Sequence, residues 1–284
     1  MAQHGMKPDN QKSHTSLAID SILLVAVVVT LAPIALLFYN AFRYSRDIIN
    51  PGTLSAPTLH NFRELFSGFS NFPNLFVNSL VIVFFTTILC LIVGLLAAYS
   101  LSKFAWPPVF VAALLGVVLF IQLVPPVALV PSFYVILNNF GLYDSKIGLV
   151  LVNTVFNLPF AIFLLKVYFD SVASELREAA LVDGSGEAGA FWRVMLPLAA
   201  PGVAAVAILV AILTWNEFLM ALSLTSTPNA QTTTVGIATF IQPYQIRYGE
   251  MIAASAIASI PIITLAIVAH RYIVAGLTGG AIKG

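Results

Sequence analysis

The sequence has few charged residues for its length. Of its 284 residues, 9% are Asp, Glu, Lys or Arg and 59% are hydrophobic, and the mean hydropathy is +0.95. A soluble domain carries about 25% charged residues, so this chain has too few to cover a water-facing surface. The composition excludes an ordinary soluble domain and predicts an all-α protein embedded in a lipid bilayer.

Other scarce features exclude further classes of protein. The net charge of +1 provides no basic surface, so we expect no nucleic-acid partner. The single cysteine, Cys90, excludes a disulfide framework and a cysteine metal site. The four histidines, His4, His14, His60 and His270, are scattered and lack metal-ligand spacing. We therefore expect no metal and no cofactor on this chain. A membrane-embedded enzyme would need a clustered nucleophile, base or metal set, and the sequence contains none.

Long uncharged segments dominate what remains. Charged residues are absent from residues 21–42, 65–102, 104–143, 147–165, 194–216, 218–246 and 251–270. A membrane-spanning helix needs about 20 apolar residues. We predict six spans, at about 17–42, 75–102, 108–131, 146–168, 199–222 and 249–272. The first exceeds the apolar core of a signal peptide, so we predict an uncleaved span.

For two segments the sequence is compatible with two alternative structures. Pro125, Pro126 and Pro131 interrupt the third predicted span, which is either a kinked helix or a partly re-entrant segment. The segment 43–74 has no apolar run of span length, but aromatic residues recur in it and just after it near helical spacing. These residues are Phe62, Phe66, Phe69 and Phe76. They indicate either an interfacial helix with an aromatic face or packing on the ends of the spans.

The distribution of Lys and Arg predicts the orientation. With both termini in the cytoplasm, eight of the 13 basic residues lie inside and five lie outside. This bias predicts a cytoplasmic N-terminal tail, 1–16, before the first span. It also predicts a core, 75–274, followed by a cytoplasmic C-terminal tail, 275–284. The loop 170–200 within that core is then cytoplasmic.

The stretch DGSGEAGAF at 183–191 contains the glycine pattern G-x-G-x-x-G. This pattern indicates dinucleotide binding only when it follows a buried strand and opens a helix. The preceding residues instead predict a short polar helix, capped by Ser174 and ending near Val182. There is no strand–helix–strand unit and no G-x-x-x-x-G-K-[ST] phosphate loop. We therefore predict neither nucleotide binding here nor ATP hydrolysis through such a loop.

The same loop carries a longer and more specific pattern. E-A-A is followed after three residues by G, and after nine more by a β-branched residue, one further residue and L-P. The matching positions are Glu178, Ala179, Ala180, Asp183 before the glycine, Gly184, Val194, Leu196 and Pro197. The pattern resembles the EAA motif of ABC importer permeases, with Val194 where the family has Ile. The family often has Pro at the position of Ser174 and Glu at the position of Arg177.

The resemblance extends over nearly the whole chain to the maltose-type branch of sugar importers. It is carried by PTLHNFRELF at 57–66, NSL at 78–80, GLYDS at 141–145, TWNEFLMAL at 214–222 and GLTGGAIKG at 276–284. It implies the six-helix fold of a type I importer permease in the bacterial cytoplasmic (inner) membrane. Such a chain forms half of an alternating-access pathway for a sugar or sugar derivative.

The resemblance also implies partners and a role for the loop. Expected partners are a second, different permease, a cytoplasmic ATPase dimer that binds ATP and Mg, and an extracytoplasmic solute-binding protein. The loop would form a coupling helix that docks on the ATPase, while this chain is not catalytic. The implied ATPase-coupling residues are Glu178, Ala179, Ala180, Asp183, Gly184, Leu196 and Pro197. Gly184 is expected to adopt a φ angle that a side chain resists.

Six polar or aromatic residues in the spans are candidates for a pathway or gate. Glu217 is the one acid in an apolar segment, and such acids usually face a bundle interior or a watery cavity. Together with Trp215 and Asn216 it either lines an outer gate or touches the binding protein, or else it pairs with a polar neighbour in packing. A self-sufficient secondary transporter or channel using Glu217 is the alternative function.

The other three candidates are the amides Gln122, Asn153 and Asn157. They either donate to sugar hydroxyls or hold helices together within the bilayer. We favour the packing interpretation and assign no sugar ligand to this chain.

Overall fold

The computed structural model describes residues 11–50, 52, 56–67 and 71–281, with only the helix backbone described at 11–18 and 271–281. Most of the predicted tail 1–16, the last three residues of the tail 275–284 and Phe69 lie outside these ranges. Apart from one isolated antiparallel bridge between Ile241 and Ile246, the regular structure of the described ranges is helical, which confirms the predicted all-α fold.

Thirteen α-helices are present in the described ranges. They are α1 (Gln11–Ala41), α2 (Ser45–Ile49), α3 (His60–Phe66), α4 (Phe72–Lys103), α5 (Pro108–Gln122), α6 (Pro126–Asn139), α7 (Lys146–Ser171), α8 (Ser174–Val182), α9 (Glu187–Ala190), α10 (Leu196–Trp215), α11 (Leu219–Leu224), α12 (Thr233–Ala238) and α13 (Tyr248–Ala281). A π-helical turn, Phe191–Met195, joins α9 to α10. Helix α13 continues into the residues that the sequence assigned to a C-terminal tail.

Five helical segments are long and apolar enough to cross a membrane, and six are reached only if the bent pair α5 and α6 counts as one span. These two helices meet at an angle of 95°. The break follows from Pro125 and Pro126, because a proline disfavours helical ψ in the residue before it, and Pro125 has ψ 123°. The third predicted span is thus a sharply bent helix pair, and this geometry fits both predicted alternatives, a kinked span and a partly re-entrant segment.

The fifth predicted span, 199–222, was wrong at its end. Helix α10 stops at Trp215, residues 216–218 form a break, and α11 begins as a separate helix at Leu219. The Glu217 carboxylate accepts hydrogen bonds from the backbone amides of Met220 and Ala221. A side chain that satisfies amides at the start of α11 competes with continuation of α10, which explains the break.

Helices α4, α7 and α10 pack together at the centre of the bundle. Close approach between α7 and α10 depends on Gly202, because a Cβ at this position would lie 2.2 Å from the ring of Tyr168. Helix α1 contacts α13, and its side chains from Ile19 to Pro33 are exposed, as expected for a helix surrounded by lipid. We call the end of the bundle where α4 and α7 finish the α8 end, and the opposite end the α11 end.

The described residues of the segment 43–74 pack on the spans. Leu65 and Phe72 are fully buried beside α13, with Phe62 and Phe76 packed against them. Phe66 remains exposed. This arrangement favours packing over an interfacial aromatic face for Phe62 and Phe76.

Candidate functional site

Helix α8 ends in a tightly defined cap. The Ser185 amide donates to the Ala180 carbonyl at 3.0 Å, and the Gly184 amide donates to the Leu181 carbonyl at 3.1 Å. These two bonds form a Schellman motif, which requires a left-handed residue after the helix. Gly184 has φ +85°, so its expected unusual conformation is confirmed.

The start of α8 differs from the predicted capping by Ser174. The cap position is Ala173, and Ser174 is the first helical residue. Its hydroxyl oxygen lies 3.3 Å from Lys103 Nζ, which also donates to the Val172 carbonyl at 2.6 Å. Lys103 ends α4, so these contacts tie the beginning of α8 to the end of α4.

A cluster of charged and aromatic side chains holds α8 against α9 and α4. Arg177 on α8 forms an ion pair with Glu187 on α9, and its Nε donates to Glu187 Oε2 at 3.1 Å. The Tyr99 hydroxyl on α4 donates to the same oxygen at 3.1 Å. The guanidinium also lies 5.5 Å from the centroid of the Phe104 ring. The hydrogen bond to Glu187 raises the pKa of Arg177. We call Tyr99, Arg177 and Glu187 the clamp.

The clamp leaves one face of α8 uncovered. Glu178, Ala179 and Asp183 are exposed, and Val182 is 87% exposed although it is apolar. Ala180 lies on the opposite face and is buried. No ion pair of Glu178 or Asp183 occurs among the described residues. An uncovered face with a small residue and an exposed apolar one is suited to contact with another chain.

Two residues of the predicted motif lie away from this exposed face of α8. Leu196 packs against the central core, and Pro197 is exposed in the first turn of α10. The chain reaches them through the π-helical turn, where the Leu196 amide bonds to the Phe191 carbonyl five residues back.

A cavity of about 530 Å³ lies beside α7, where the break between α5 and α6 meets the break between α10 and α11. Its lining is mostly apolar but includes several polar side chains, and we call it the polar cavity. It brings together four of the six predicted pathway residues. These are Gln122, Asn153, Asn157 and Glu217. A larger cavity of about 790 Å³, between α4, α10 and α13, has an almost entirely apolar lining and suits a lipid chain or another helix.

The remaining two candidates do not line the polar cavity. Trp215 is buried and its Nε1 donates to the Ala258 carbonyl on α13 at 3.1 Å. The side-chain Nδ2 of Asn216 donates to the Ile212 carbonyl one turn earlier at 2.8 Å.

Each amide NH₂ group of the cavity lining makes at least one hydrogen bond within the bundle. Gln122 Nε2 donates to the Phe156 carbonyl at 2.9 Å, and Asn153 Nδ2 donates to the Leu149 carbonyl at 2.9 Å. Asn157 Nδ2 donates to the Asn153 carbonyl at 2.9 Å and to Thr214 Oγ1 at 3.3 Å. These bonds favour the packing interpretation for all three amides, while Gln122 and Asn153 each keep a second N–H without a partner among the described residues.

Glu217 is likewise engaged by the backbone. Its carboxylate oxygens accept from the Met220 amide at 2.6 Å and from the Ala221 amide at 3.0 Å. Its own carbonyl accepts from Thr234 Oγ1 at 2.8 Å. The carboxylate thus shapes the break between α10 and α11 while its residue lines the cavity.

The aromatic part of this lining was not predicted from the sequence. Phe156 and Phe160 on α7 and Phe218 in the α10–α11 break all contribute to the cavity. The first two share a face of α7 with Asn153 and Asn157, a spacing of three or four residues that predicts a common helix face. That signal was present in NTVFNLPF at 153–160.

The α11 end carries a second polar network. Asp144, at φ +53°, accepts hydrogen bonds from the Ser226 and Thr227 amides at 2.9 and 3.1 Å and from the Thr227 hydroxyl at 2.7 Å. Partial burial opposes ionisation, but these hydrogen bonds lower the pKa of Asp144 below its usual value. Asn78 is buried and donates to the Pro228 and Gln231 carbonyls at 3.0 and 2.9 Å.

Within the described ranges, no group of three His, Cys, Asp or Glu side chains is placed to hold a metal ion. The exposed face of α8 offers contact with another chain, and the polar cavity offers hydrogen-bonding groups.

Comparison with protein families matches residues 90–279 to the binding-protein-dependent transport system inner membrane component family. The chain is 39% identical to the trehalose transport system permease protein SugB of Mycobacterium tuberculosis, covering 81% of this chain and 84% of that protein. It is 32% identical to the diacetylchitobiose uptake system permease protein NgcG of Streptomyces coelicolor, covering 93% and 87%. It is 34% identical to the trehalose/maltose transport system permease protein MalG of Thermococcus litoralis, covering 81% and 79%.

Among solved structures, the fold matches a chain of a bacterial ABC transporter involved in import of the acidic polysaccharide alginate. The TM-score is 0.77 at 20% identity, covering 94% of this chain and 99% of that chain. A second match, with a TM-score of 0.69 at 15% identity, is to the bacterial alginate transporter in complex with a periplasmic protein bound to an alginate pentasaccharide.

Proposed function

This chain belongs to the binding-protein-dependent transport system inner membrane component family, whose members are permease subunits of ABC importers, and from that membership we propose that it imports a sugar or sugar derivative. It forms half of the translocation pathway and works by alternating access. The observation that carries the proposal is the family match over 90–279, which includes the E-A-A loop and both sites described above. The alternative of a self-sufficient transporter using Glu217 has no support, because the family match is to importer subunits.

The proposed substrate class rests on the relatives. One is named for trehalose transport, one for trehalose and maltose, and one for diacetylchitobiose uptake. Each covers more than three quarters of this chain and of its own length. The shared chemistry of these solutes is a hydroxyl-rich sugar ring, and we assign that class to this permease.

The exposed face of α8 is the proposed docking surface for a cytoplasmic ATPase. Ala179 is small, which allows close approach to the helix backbone, and the exposed Val182 offers apolar area. Glu178 and Asp183 are free of ion pairs within the described part of the chain and are available for polar contacts. ATP and Mg are bound and ATP is hydrolysed on the ATPase dimer, so this subunit is not catalytic.

The remaining partners follow from this arrangement. The α8 end and both termini lie in the cytoplasm, and the α11 end faces outward from the bacterial inner membrane. A solute-binding protein docks at the α11 end, as the solved complex with a periplasmic protein supports for a chain of this fold. A second, different permease completes the pathway.

The decisive experiment is purification of the tagged chain from its native cells in mild detergent, with its partners identified by mass. The test variant is Ala179→Trp, because a large ring on the exposed face of α8 prevents close approach. The matched control is Asn229→Trp, which adds the same bulk to an exposed position at the α11 end.

We expect an ATPase to copurify with the unmodified chain and with Asn229→Trp, and about tenfold less of it with Ala179→Trp. All three chains should unfold at similar temperatures, because both sites are exposed. A well-folded unmodified chain that brings no ATPase would overturn the proposed function. Equal recovery with all three would overturn only the assignment of the docking surface.

A further inference from the structure

We propose that the polar cavity is a sugar subsite on this chain, built for neutral, hydroxyl-rich ligands and against anionic ones. The sugar hydroxyls donate to side-chain oxygens of the cavity lining, and aromatic rings cover the apolar face of the sugar ring. The inference rests on the proposed function and narrows its substrate class from sugars and sugar derivatives to neutral sugars.

The hydrogen-bond pattern fixes which atoms face the ligand. An amide side chain has an NH₂ donor and an oxygen acceptor whose positions are assigned from their partners. The NH₂ groups of Gln122 and Asn153 meet backbone carbonyls, which only accept. Asn157 Nδ2 also meets a backbone carbonyl. All three orientations are therefore determined, and the amide oxygens remain as free acceptors.

None of these oxygens accepts a hydrogen bond from a described group. Gln122 is exposed, and the oxygens of Asn153 and Asn157 are absent from the fully buried polar atoms that lack a partner, which are Thr86 Oγ1, Thr87 Oγ1 and Ser102 Oγ. An acceptor that is unpaired but not fully enclosed is available to a ligand donor. Three amide oxygens together with the Glu217 carboxylate give the cavity an excess of acceptors.

The charge of the lining selects against anions. Glu217 is its one ionisable residue, and Lys, Arg and His are absent from the lining. A carboxylate or phosphate on the ligand would face Glu217 across a poorly screened space with no cation to compensate. A neutral hydroxyl instead donates to the carboxylate or to an amide oxygen, and hydrogen bonds to a charged acceptor are the stronger kind.

The rest of the lining suits a sugar ring. Phe156, Phe160 and Phe218 place aromatic side chains beside the polar groups, and Pro126 adds an apolar surface. The cavity volume of about 530 Å³ lies within the range of about 300–1,000 Å³ typical of small-molecule sites. A combination of apolar surface with a few convergent polar groups is typical of such sites.

The position of the cavity supports a role in transport. It lies at two helix breaks, 123–125 and 216–218. Irregular backbone at membrane depth is tolerated only where it is buried in protein or lines a cavity with water. In transporters, interrupted helices mark the substrate sites.

The test is uptake into proteoliposomes that contain the complete transporter with its copurified partners. The neutral probes are trehalose, maltose and diacetylchitobiose, and the anionic probes are trehalose 6-phosphate and an alginate disaccharide. The variants Gln122→Leu and Asn153→Leu each remove one acceptor, together with the donor to the Phe156 or Leu149 carbonyl. The variant Gln122→Lys adds a cation. Thr154→Val is the control, because its hydroxyl bonds to the Val150 carbonyl on the same helix and Thr154 does not line the cavity.

We expect ATP-driven uptake of at least one neutral probe and of neither anionic probe. For that neutral probe, each Leu variant should raise KM about tenfold, the effect of one lost hydrogen bond, whereas Thr154→Val should change it less than about twofold. Gln122→Lys should raise uptake of an anionic probe relative to the neutral one. Gln122 is exposed, so its variants should fold even if Asn153→Leu does not.

Three outcomes would overturn the subsite. They are ATP-driven uptake of an anionic probe at a rate comparable with the neutral ones, uptake of no neutral probe by an active transporter, and a KM unchanged in both Leu variants. In each of these cases the ATPase still copurifies, so the proposed function stands. Absence of an ATPase would remove both proposals, which separates the two failures.

Discussion

The two ends of the bundle use their polar side chains differently. At the α8 end, the clamp side chains bond to one another, since Glu187 accepts from both Arg177 and Tyr99. At the α11 end, side chains bond mainly to backbone groups, as Asp144 does with the amides of Ser226 and Thr227. Asn78 follows the same pattern, with two backbone carbonyls as acceptors.

This difference suggests that the α8 end transmits movement and that the α11 end holds irregular backbone in place. The clamp joins the helical elements α4, α8 and α9 through side chains, so we expect a displacement of α8 to pass to α4 as a rigid-body movement. The α11 end and the cavity contain irregular backbone that must be satisfied in place, and polar side chains do this. We therefore expect substitutions at the α11 end to affect stability most, and substitutions in the clamp to affect the coupling of ATP hydrolysis to transport.

Asp144 should give the largest loss of stability. Asp144→Ala removes three hydrogen bonds to a carboxylate and places alanine at positive φ, so we expect a loss of about 3 kcal/mol in the free energy of unfolding. Asp144→Asn should lose about half as much, because asparagine tolerates positive φ and keeps one acceptor oxygen. Denaturant titration of the purified protein in detergent measures both values.

The pH dependence of the free energy of unfolding provides a control for the comparison of Asp144→Asn with the unmodified chain. The pKa of Asp144 is lowered in the native state, so its contribution is present above the unfolded-state pKa and is lost as pH falls through the native pKa. The unmodified chain should lose more stability on acidification than Asp144→Asn. Equal losses in both chains would show that Asp144 does not contribute in this way.

The clamp should show a smaller effect on stability and a clear effect on coupling. Arg177→Glu places two acids side by side, and we expect a loss of about 1–2 kcal/mol. The estimate is modest because the Glu187 side chain is 42% exposed. We expect ATP-driven uptake to fall more than ATPase copurification, because α8 still binds but no longer moves with α4. The measurement is uptake per ATP hydrolysed in proteoliposomes.

Exchange of the two charges isolates the pair. The double variant Arg177→Glu, Glu187→Arg restores opposite charges and should recover part of both stability and coupling, which a double-mutant cycle quantifies. Recovery is incomplete because Tyr99 loses its acceptor and Phe104 loses its guanidinium neighbour. A double variant no better than Arg177→Glu alone would show that the clamp is not an ion-pair device.

The sequence predicted the α8 segment better than the cavity for a physical reason. The cap of α8 involves residues at most five apart, from Ala180 to Ser185, so local spacing is enough to predict its glycine. The clamp was not predicted, because Tyr99 is 88 positions from Glu187 along the chain. The polar residues of the cavity were predicted as separate candidates. Their position in one cavity depends on the packing of two helix breaks that lie far apart in sequence.

The fold was predictable wherever length and hydrophobicity decide it. The helices α4, α7 and α13 include the predicted spans at 75–102, 146–168 and 249–272. The errors fall where a local bond competes with helix continuation. Pro125 and Pro126 divide the third predicted span, and the bonds of the Glu217 carboxylate to backbone amides end the fifth. A hydropathy pattern predicts neither of these two helix ends, because it does not depend on proline or on side-chain hydrogen bonds to the backbone.

Two glycines in the α8 segment give the smallest predicted difference. Gly184 has φ +85° and Gly186 has φ −73°, and a Cβ at either position would meet no atom within 4 Å. A methyl group therefore has enough space at both positions, and the two glycines differ only in their backbone conformation. Gly184→Ala should cost about 1 kcal/mol, the penalty of a left-handed conformation, whereas Gly186→Ala should be neutral or stabilise by up to about 1 kcal/mol through the unfolded state. Denaturant titration in detergent measures the difference, and equal effects of the two substitutions would show that the cap of α8 does not depend on a left-handed residue at 184.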